Sequence, residues 1–416
     1  MFPWLDILRL IFTGTVSVFA DPTFWIIVAL ITYQYWMLRR NQLRMFGVAG
    51  YKLRQQVGMA ILLGAAGGIV GSFVLTFVGV TLNQLGLQYI WPLALLLMAI
   101  NMRFICFAYS GGLVALSSAL FGWPAVNVPQ VLSLVAGLHI TESLLIAVSG
   151  RFSAVPAIVR RSDGGQAGAF MLQNFWPLPL VLLAALPLPE TFASEGMVHM
   201  PDWWPLLPVN IDVPAGQKLI YAMTPVVAAL GYTDIAVASD PAARRRVSAL
   251  HLAGYSIILL AVAVASARLT WLQPLAAILS PLGHELLIQL DSRREIKGRP
   301  RFVPPPYGVM VLDTVPDSPA RAAGLRPGDV IVGLGGYPVR DARELGYAVD
   351  YAPARFNLDL LRNGRSLTVA ARFAPGAERL LGVIVVPEGQ EAGFFLDVAG
   401  RSWVWEWIKR KLGKDR

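Results

Sequence analysis

The chain has 416 residues, of which 55% are apolar and only 15% are charged. Soluble domains average about 25% charged residues, and a mean hydropathy of +0.55 is too high for a protein whose whole surface is wetted. The composition therefore excludes a soluble globular protein and a disordered one. It indicates several membrane-spanning segments followed or preceded by a smaller water-exposed part.

Apolar runs long enough to span a bilayer recur through the first 290 residues. A spanning helix needs about 20 mostly apolar residues. Runs of about this length cover residues 23–38, 57–80, 86–102, 104–123, 128–149, 168–186, 219–238, 247–267 and 269–290, and residues 4–20 form one further candidate. We therefore predict an α-helical polytopic membrane bundle of nine or ten helices over residues 1–290.

The basic residues distinguish the two sides of this bundle. When the runs are threaded as alternating crossings, one side receives only Lys218 and Arg268. The other side receives Arg39, Arg40, Arg44, Lys52, Arg54, Arg103, Arg151, Arg160, Arg161, Arg244, Arg245, Arg246 and the basic residues of 293–301. The basic side is cytoplasmic by the positive-inside rule. We predict a multi-pass protein of the cytoplasmic membrane, in contact with the lipid bilayer, and no nucleic-acid partner, because this asymmetry accounts for most of the net charge of +9.

Four glycines in the second run form two small-xxx-small pairs, Gly64 with Gly68 and Gly67 with Gly71. Such pairs let two helix backbones approach closely. The glycines therefore predict either close packing within the bundle or a homodimer that forms through this face, and the sequence leaves both open.

Ionisable residues interrupt the apolar pattern at three places. His139 and Glu142 share one helix face, His251 lies early in a later run, and His284 with Glu285 lies near the end of the last run. Ionisable groups at membrane depth are costly and usually face a partner or a wet cavity. We predict an intramembrane polar cluster of these five residues, which could pin helices together, relay a proton or hold an ion. His284, His139 and Glu142 are the candidate metal ligands.

A zinc protease is the alternative that this cluster raises. In a His-Glu-x-x-His helix, two histidines one turn apart bind zinc and the glutamate activates water. Here His284 and Glu285 are followed by Ile288 in the second ligand position, and isoleucine cannot coordinate a metal. We therefore predict no catalytic residue and no cofactor, and we keep an intramembrane metalloprotease, or a degenerate relative of one, as the alternative. A transporter-like bundle that uses Glu142 is a third possibility.

The composition changes after residue 290. Residues 291–302 read as a basic linker, and residues 303–386 as a small α+β domain with short strands and marked turns. Gly328 lies in a Pro-Gly-Asp turn, and Asn363-Gly364 is a strong signal for a β-hairpin. Residues 387–416 read as a tail with a basic amphipathic helix that could lie on an anionic membrane surface.

The segment from Val315 to Ile331 carries a recognisable motif. Val-Pro-Asp-Ser-Pro-Ala-x-x-Ala-Gly-Leu-x-x-Gly-Asp-Val-Ile resembles the PDZ pattern of bacterial envelope proteases (the HtrA type) and site-2 proteases. This resemblance implies a small β-barrel whose groove takes an extended peptide, with a glycine-containing loop at the terminal carboxylate. Leu381, Gly382, Val383 and Ile384 resemble that loop best, and Tyr307, Gly308 and Val309 come second. A plain strand with a tight bend is the other interpretation of residues 381–383.

The whole layout resembles the MinJ-type topological determinants of cell division. The features that carry the resemblance are the polytopic N-terminal region, the membrane His-x-x-Glu, the Gly-His-Glu at the end of the last run and one C-terminal PDZ domain. The resemblance implies a membrane scaffold that recruits cytosolic or membrane proteins to division sites through the PDZ domain. Site-2 proteases fit less well, because they place their PDZ domains between catalytic helices.

Overall fold

The computed structural model describes residues 2–48, 50–150, 154–160, 165–189, 191, 197–374 and 379–387. Eight α-helices lie in the part of residues 2–297 that it describes. They are α1 (Trp4–Val18), α2 (Pro22–Phe46), α3 (Leu53–Val78), α4 (Leu87–Ile100), α5 (Phe107–Phe121), α6 (Val128–Val148), α7 (Pro241–Ser266) and α8 (Gln273–Lys297).

Local sequence signals set the ends of several helices. Asp21 caps α2 by accepting a hydrogen bond from the Thr23 amide, and α2 ends at Gly47 in the left-handed conformation. Asp240 accepts hydrogen bonds from two amides at the start of α7. A capping carboxylate followed by proline at the first helical position is the usual start of a helix.

Three of the described helices, α3, α6 and α7, are long and apolar enough to cross a membrane. The pair α1 and α2, which meet at a bend of 71°, passes the same test when the two are taken together. Helices α4 and α5 are apolar but shorter. The helical region therefore has the composition of a membrane protein, as its sequence predicts.

Two of the predicted helices are β-strands, and the expected count of nine or ten helices is wrong for the described residues. Strands β1 (Ala154–Arg160), β2 (Gln166–Pro189) and β3 (Gln217–Ala236) form an antiparallel sheet in the order β1-β2-β3. The runs 168–186 and 219–238 fall inside β2 and β3.

Prolines explain why the first of these runs is not a helix. Pro177 and Pro179 would each remove a hydrogen bond from the interior of a helix and clash with the preceding turn. In β2 they lie along the edge that faces away from β3, where a missing N–H disrupts no ladder. Pro225 of β3 lies directly opposite Val181 and likewise faces away from the ladder.

Side chains of α2, α3 and the segment after α3 accept hydrogen bonds from the backbone N–H groups along the same edge of β2. The Val181 amide donates to the Ser72 hydroxyl at 2.8 Å, and the Ala185 amide donates to Asn83 Oδ1 at 2.7 Å. The Phe175 amide donates to the Tyr35 hydroxyl at 3.1 Å. Buried backbone groups must find partners, and these side chains let a long strand lie against a helical bundle.

The glycine face of α3 is filled by the same chain. A Cβ atom on Gly64 or Gly68 would collide with the carbonyl oxygens of Pro177 and Pro179 in β2. The positions beside Gly67 and Gly71 are occupied by Leu145 and Thr141 of α6. The prediction of close packing is therefore confirmed, and a homodimer through Gly64, Gly67, Gly68 and Gly71 is wrong, because this face is not available to a second copy.

The C-terminal domain is an antiparallel sheet with two short helices. Its elements are β4 (Val309–Thr314), α9 (Pro319–Ala322), β5 (Val330–Leu334), β6 (Tyr337–Pro338), α10 (Ala342–Tyr351), β7 (Arg355–Arg362), β8 (Arg365–Arg372) and β9 (Val383–Val385). The strand order is β8-β7-β5-β4-β9, with β6 paired to β5. The core of this domain is apolar, and it contains Ile331, Leu334, Leu358 and Leu360, none of which is exposed.

The two parts of the chain are in direct contact. Helix α8 continues through the predicted linker as far as Lys297. The amide of Gly168 in β2 donates to the carbonyl of Phe302 at 2.8 Å, and a Cβ on Gly168 would meet Leu312 of β4 and Val386. The start of β2 therefore packs against the C-terminal domain.

Candidate functional site

Strand β9 is one edge of the C-terminal sheet, and it contains Val383 and Ile384 of the residues predicted to bind a peptide. Ile384 lies opposite Asp313 of β4. The Val386 amide donates to the Met310 carbonyl, and the Gly382 carbonyl accepts from the Val315 amide. Since backbone groups alternate along a strand, those of Val383 and Val385 point away from β4, to the free edge of β9, which pairs with no other strand of the described residues.

The loop before β9 packs against the start of α9. The Leu381 carbonyl accepts a 3.0 Å hydrogen bond from the Ala320 amide, and the Leu381 side chain belongs to the domain core. The Ser318 hydroxyl donates to the Gly382 carbonyl at 3.3 Å. Gly382 has φ +72°, and a Cβ there would collide with Ser318. The glycine is required by the close approach of the two loops as well as by its backbone conformation.

The second predicted segment lies elsewhere in the sheet. Val309 begins β4, which pairs with β5 on one side and with β9 on the other. Gly308 has φ +83° and donates its amide to the Arg340 carbonyl. Because β4 is an interior strand, Tyr307, Gly308 and Val309 do not offer the free edge that residues 381–384 offer.

Helix α10 ends beside the chain that leads into β9. The Arg379 guanidinium donates to the carbonyls of Asp350 and Ala352 at 2.6 and 3.1 Å, and so neutralises the negative end of the helix. The exposed side chains here include Leu380, Tyr347 and Tyr351. These contacts hold the loop before β9 close to the C-terminal end of α10.

The membrane cluster unites two of the five predicted residues with one that was not predicted. The Cys106 sulfur lies 3.1 Å from Nε2 of His139 and 3.9 Å from Nε2 of His284. These three ligand atoms all lie within 4.8 Å of one another. Cys106 is the chain's one cysteine, and its place at the start of an apolar run gives no sign of a partner across the bundle.

Glu285 faces a different set of partners. Arg103 forms an ion pair with it at 3.1 Å, and the Tyr109 hydroxyl donates to it at 2.7 Å. Gln289 donates to its other oxygen at 2.8 Å. A water-activating glutamate needs a free carboxylate oxygen beside the metal, and this one is engaged by three side chains.

The other two predicted residues do not join Cys106. His251 pairs with Asp291 through its Nδ1 at 2.8 Å, and Asp291 also lies 3.7 Å from Arg244. Glu142 lies one turn after His139 on α6, but its carboxylate is not among the three atoms that converge. The polar residues therefore form separate groups rather than the single cluster that was predicted.

Comparisons with known proteins agree with this division of the chain. Residues 310–362 match the family model for a PDZ domain. The chain is 27% identical over 274 residues to the cell division topological determinant MinJ of Bacillus subtilis, which covers 65% of this chain and 63% of that relative. A probable cell division topological determinant MinJ of Lacticaseibacillus paracasei is 37% identical over 83 residues, 20% of this chain and 22% of that protein.

A putative serine protease HhoA of Synechocystis sp. is 38% identical over 88 residues, 21% of this chain and 22% of that protein. The chain therefore aligns with less than two thirds of the length of each of these relatives. The 274-residue alignment is far longer than the 53 residues that match the domain model. The chain thus carries a PDZ domain after its helical region, and its similarity to the cell division determinant of Bacillus subtilis extends well beyond that domain.

Proposed function

We propose that this chain is a multi-pass membrane scaffold whose cytoplasmic PDZ domain captures a protein partner. The observation that carries the proposal is the free edge of β9, where the backbone groups of Val383 and Val385 point away from β4. PDZ domains bind an extended peptide as an added strand, with main-chain hydrogen bonds for affinity and side-chain pockets for specificity. An unpaired edge strand beside a helix is the geometry that this mode requires.

The contact between β2 and the PDZ domain supports a position of this domain at the membrane surface. Strand β2 has 24 residues, which corresponds to about 80 Å at roughly 3.3 Å per residue. A bilayer with its headgroups is about 40–45 Å thick. The strand is therefore long enough to cross the membrane and still reach Phe302 with its first residues.

The distribution of basic residues supports the cytoplasmic orientation. Arg244 and Arg245 lie in the first turn and a half of α7, and Arg293 and Arg294 lie near the end of α8. Both helix ends are on the side of the bundle that carries the PDZ domain. By the positive-inside rule this side faces the cytoplasm, and so would a peptide partner.

A role in placing the cell-division site rests on the similarity to the relatives named as cell division topological determinants. The shared region includes more than the PDZ domain, so the proposal applies to the membrane part as well. Under this proposal, a survey of neighbouring proteins by proximity labelling should lose its division-site partners when residues 303–386 are removed. Unchanged partners would mean that the PDZ domain does not recruit them.

The binding edge can be tested with the full-length chain in detergent and an array of peptides with free C-termini. Val385→Pro removes one N–H from the free edge while Ile384, before it, stays extended as proline requires. Val385→Ala is the matched control, because it trims the side chain and keeps the N–H. We expect peptide capture by Val385→Ala and its loss in Val385→Pro.

Equal capture by the two variants would contradict strand addition at β9. Ile384→Pro is a second control, because it removes an N–H inside the ladder and should destabilise the domain itself. The binding of amidated copies of the same peptides shows whether the site recognises the terminal carboxylate. If both forms bind equally, the edge accepts internal segments rather than C-termini.

A further inference from the structure

We propose that Cys106, His139 and His284 form a binding site for a zinc ion within the helical bundle. The three residues come from separate elements, namely the residue before α5, the middle of α6 and the middle of α8. Their Sγ and two Nε2 atoms converge within 4.8 Å of one another. This inference is independent of the peptide-binding proposal.

The backbone fixes which nitrogen of His139 carries the proton. Its Nδ1 lies 2.7 Å from the carbonyl oxygen of Val135, and a carbonyl oxygen can only accept. Nδ1 therefore donates, and in the neutral ring Nε2 carries the lone pair. Metal-binding histidines are commonly oriented in this way, by a hydrogen bond from the nitrogen that does not bind the metal.

His284 is oriented by a comparable contact through a side chain. Its Nδ1 lies 3.4 Å from the Tyr109 hydroxyl, and that hydroxyl donates its one proton to Glu285 at 2.7 Å. The phenolic oxygen can therefore only accept from His284. This arrangement again puts the proton on Nδ1 and the lone pair on Nε2, facing Cys106.

The protons of the cluster cannot satisfy both of its imidazole lone pairs. Two imidazole lone pairs face the sulfur, but a neutral thiol has a single proton and can satisfy only one of them. A cation at the centre of the three atoms satisfies both lone pairs, and it is also neutralised in part by the thiolate.

The distances fit zinc. With zinc–sulfur bonds of about 2.3 Å and zinc–nitrogen bonds of about 2.05 Å, tetrahedral geometry places sulfur and nitrogen about 3.5 Å apart. The observed distances of 3.1 and 3.9 Å lie on either side of this value. One thiolate with two imidazoles is a donor set that binds zinc and also copper. With zinc, three protein ligands leave the fourth position open for water or another ligand.

The sulfur is also placed to carry negative charge. Cys106 is the N-cap residue of α5, and the Ala108 amide points at its sulfur at 3.5 Å. The positive end of a helix stabilises an anion there. Zinc at this point would join α5, α6 and α8, and α8 leads directly to the PDZ domain.

The test is the metal content of the full-length protein, purified in detergent without chelators. We expect about one zinc per chain in the wild type and background levels in His139→Ala and Cys106→Ala. His251→Ala is the matched control, because it removes a histidine of the bundle that pairs with Asp291 and lies outside the site. Zinc retained by His251→Ala and lost from the other two variants supports the assignment.

Two further variants separate loss of zinc from loss of the fold. Cys106→His keeps three ligands and should still bind a metal, whereas cobalt in the wild type should give a thiolate charge-transfer absorption that this variant lacks. Tyr109→Phe removes the group that orients His284, and it should weaken zinc affinity about tenfold. Neither result would follow from a general disturbance of packing.

Several outcomes would overturn the proposal. One is a wild-type protein that holds no zinc after incubation with zinc and dialysis. Another is the same zinc content in His139→Ala as in the wild type. Copper bound in place of zinc would overturn the choice of ion, and a cobalt spectrum without a thiolate band would exclude Cys106 as a ligand.

Discussion

The backbone amide of Val181 donates a 2.8 Å hydrogen bond to the hydroxyl of Ser72, which itself donates to the Gly68 carbonyl at 2.6 Å. Ser72 is fully buried, so Ser72→Ala would leave the Val181 amide without a partner in an apolar setting. We expect a loss of about 1–3 kcal/mol in the free energy of unfolding. Thermal unfolding of the detergent-solubilised protein measures it. Ser366→Ala, at an exposed position of β8, is the control and should change the melting temperature little.

The contact between α3 and β2 gives a second prediction. Gly64→Ala would drive a methyl group into the Pro177 carbonyl, and overpacking of this kind costs about 1–3 kcal/mol. Gly58 lies on the same helix with open space where its Cβ would be. Gly58→Ala should therefore leave the melting temperature unchanged or raise it, because alanine is the better helix former. Equal effects of the two substitutions would contradict the close packing of Gly64.

The same contact shows how far the sequence could predict the fold. The spacing of Gly64 and Gly68 predicted close packing, and it left open what packs there. The length and apolar content of the run that contains Pro177 and Pro179 predict a spanning helix, and the structure has a strand there. Two prolines two residues apart argue against a helix and are typical of a strand edge. To predict the strand, however, one must know that Tyr35, Ser72 and Asn83 accept hydrogen bonds from its backbone. Those contacts join residues more than 100 positions apart.

The PDZ domain was predictable because its signals are local. Turn residues such as Gly328 and the Asn363-Gly364 hairpin define short elements that lie next to one another. The metal-binding group could be predicted only in part, since the helix positions of His139 and His284 gave no indication that both face Cys106. The rotation of each helix within the bundle decides this, and the nearly uniform apolar pattern of such helices does not encode it.

The end of α8 gives a prediction that depends on pH. Glu295 is buried, and it accepts hydrogen bonds from the amides of Val237, Ala238 and Ser239 at 2.9–3.1 Å. Burial raises the pKa of this carboxyl, but the hydrogen bonds outweigh burial and lower the pKa below the ordinary value of 4.5. A carboxyl whose pKa is lower in the folded state stabilises the fold above its unfolded pKa, and this stabilisation is lost as pH falls through the folded value.

Glu295→Gln should therefore lower the melting temperature at neutral pH, by a loss of about 1.5–3 kcal/mol for the charged hydrogen bonds. The difference from the wild type should shrink as the pH falls below the ordinary pKa of 4.5, and it should close once the pH falls through the lowered pKa of Glu295, where the wild-type carboxyl becomes protonated as well. Melting curves of both proteins between pH 3 and pH 7 measure this difference, with each pair compared in the same buffer. A difference that stays constant over the whole range would mean that the charge of Glu295 does not contribute.

Arg362 and Asp329 give the last prediction, on the PDZ domain itself. The Asp329 carboxylate is buried, and it accepts two hydrogen bonds from the Arg362 guanidinium at 2.7 and 2.8 Å and one from the Arg326 amide at 2.8 Å. Lysine carries the same charge but cannot form the two parallel contacts. Because a buried carboxylate that loses its partner is strongly destabilising, we expect Arg362→Lys to lose about 2–3 kcal/mol of stability. Arg365→Lys, at the exposed start of β8, is the matched control and should melt as the wild type does. If Arg362→Lys also kept the wild-type melting temperature, Asp329 would not depend on the paired guanidinium contacts.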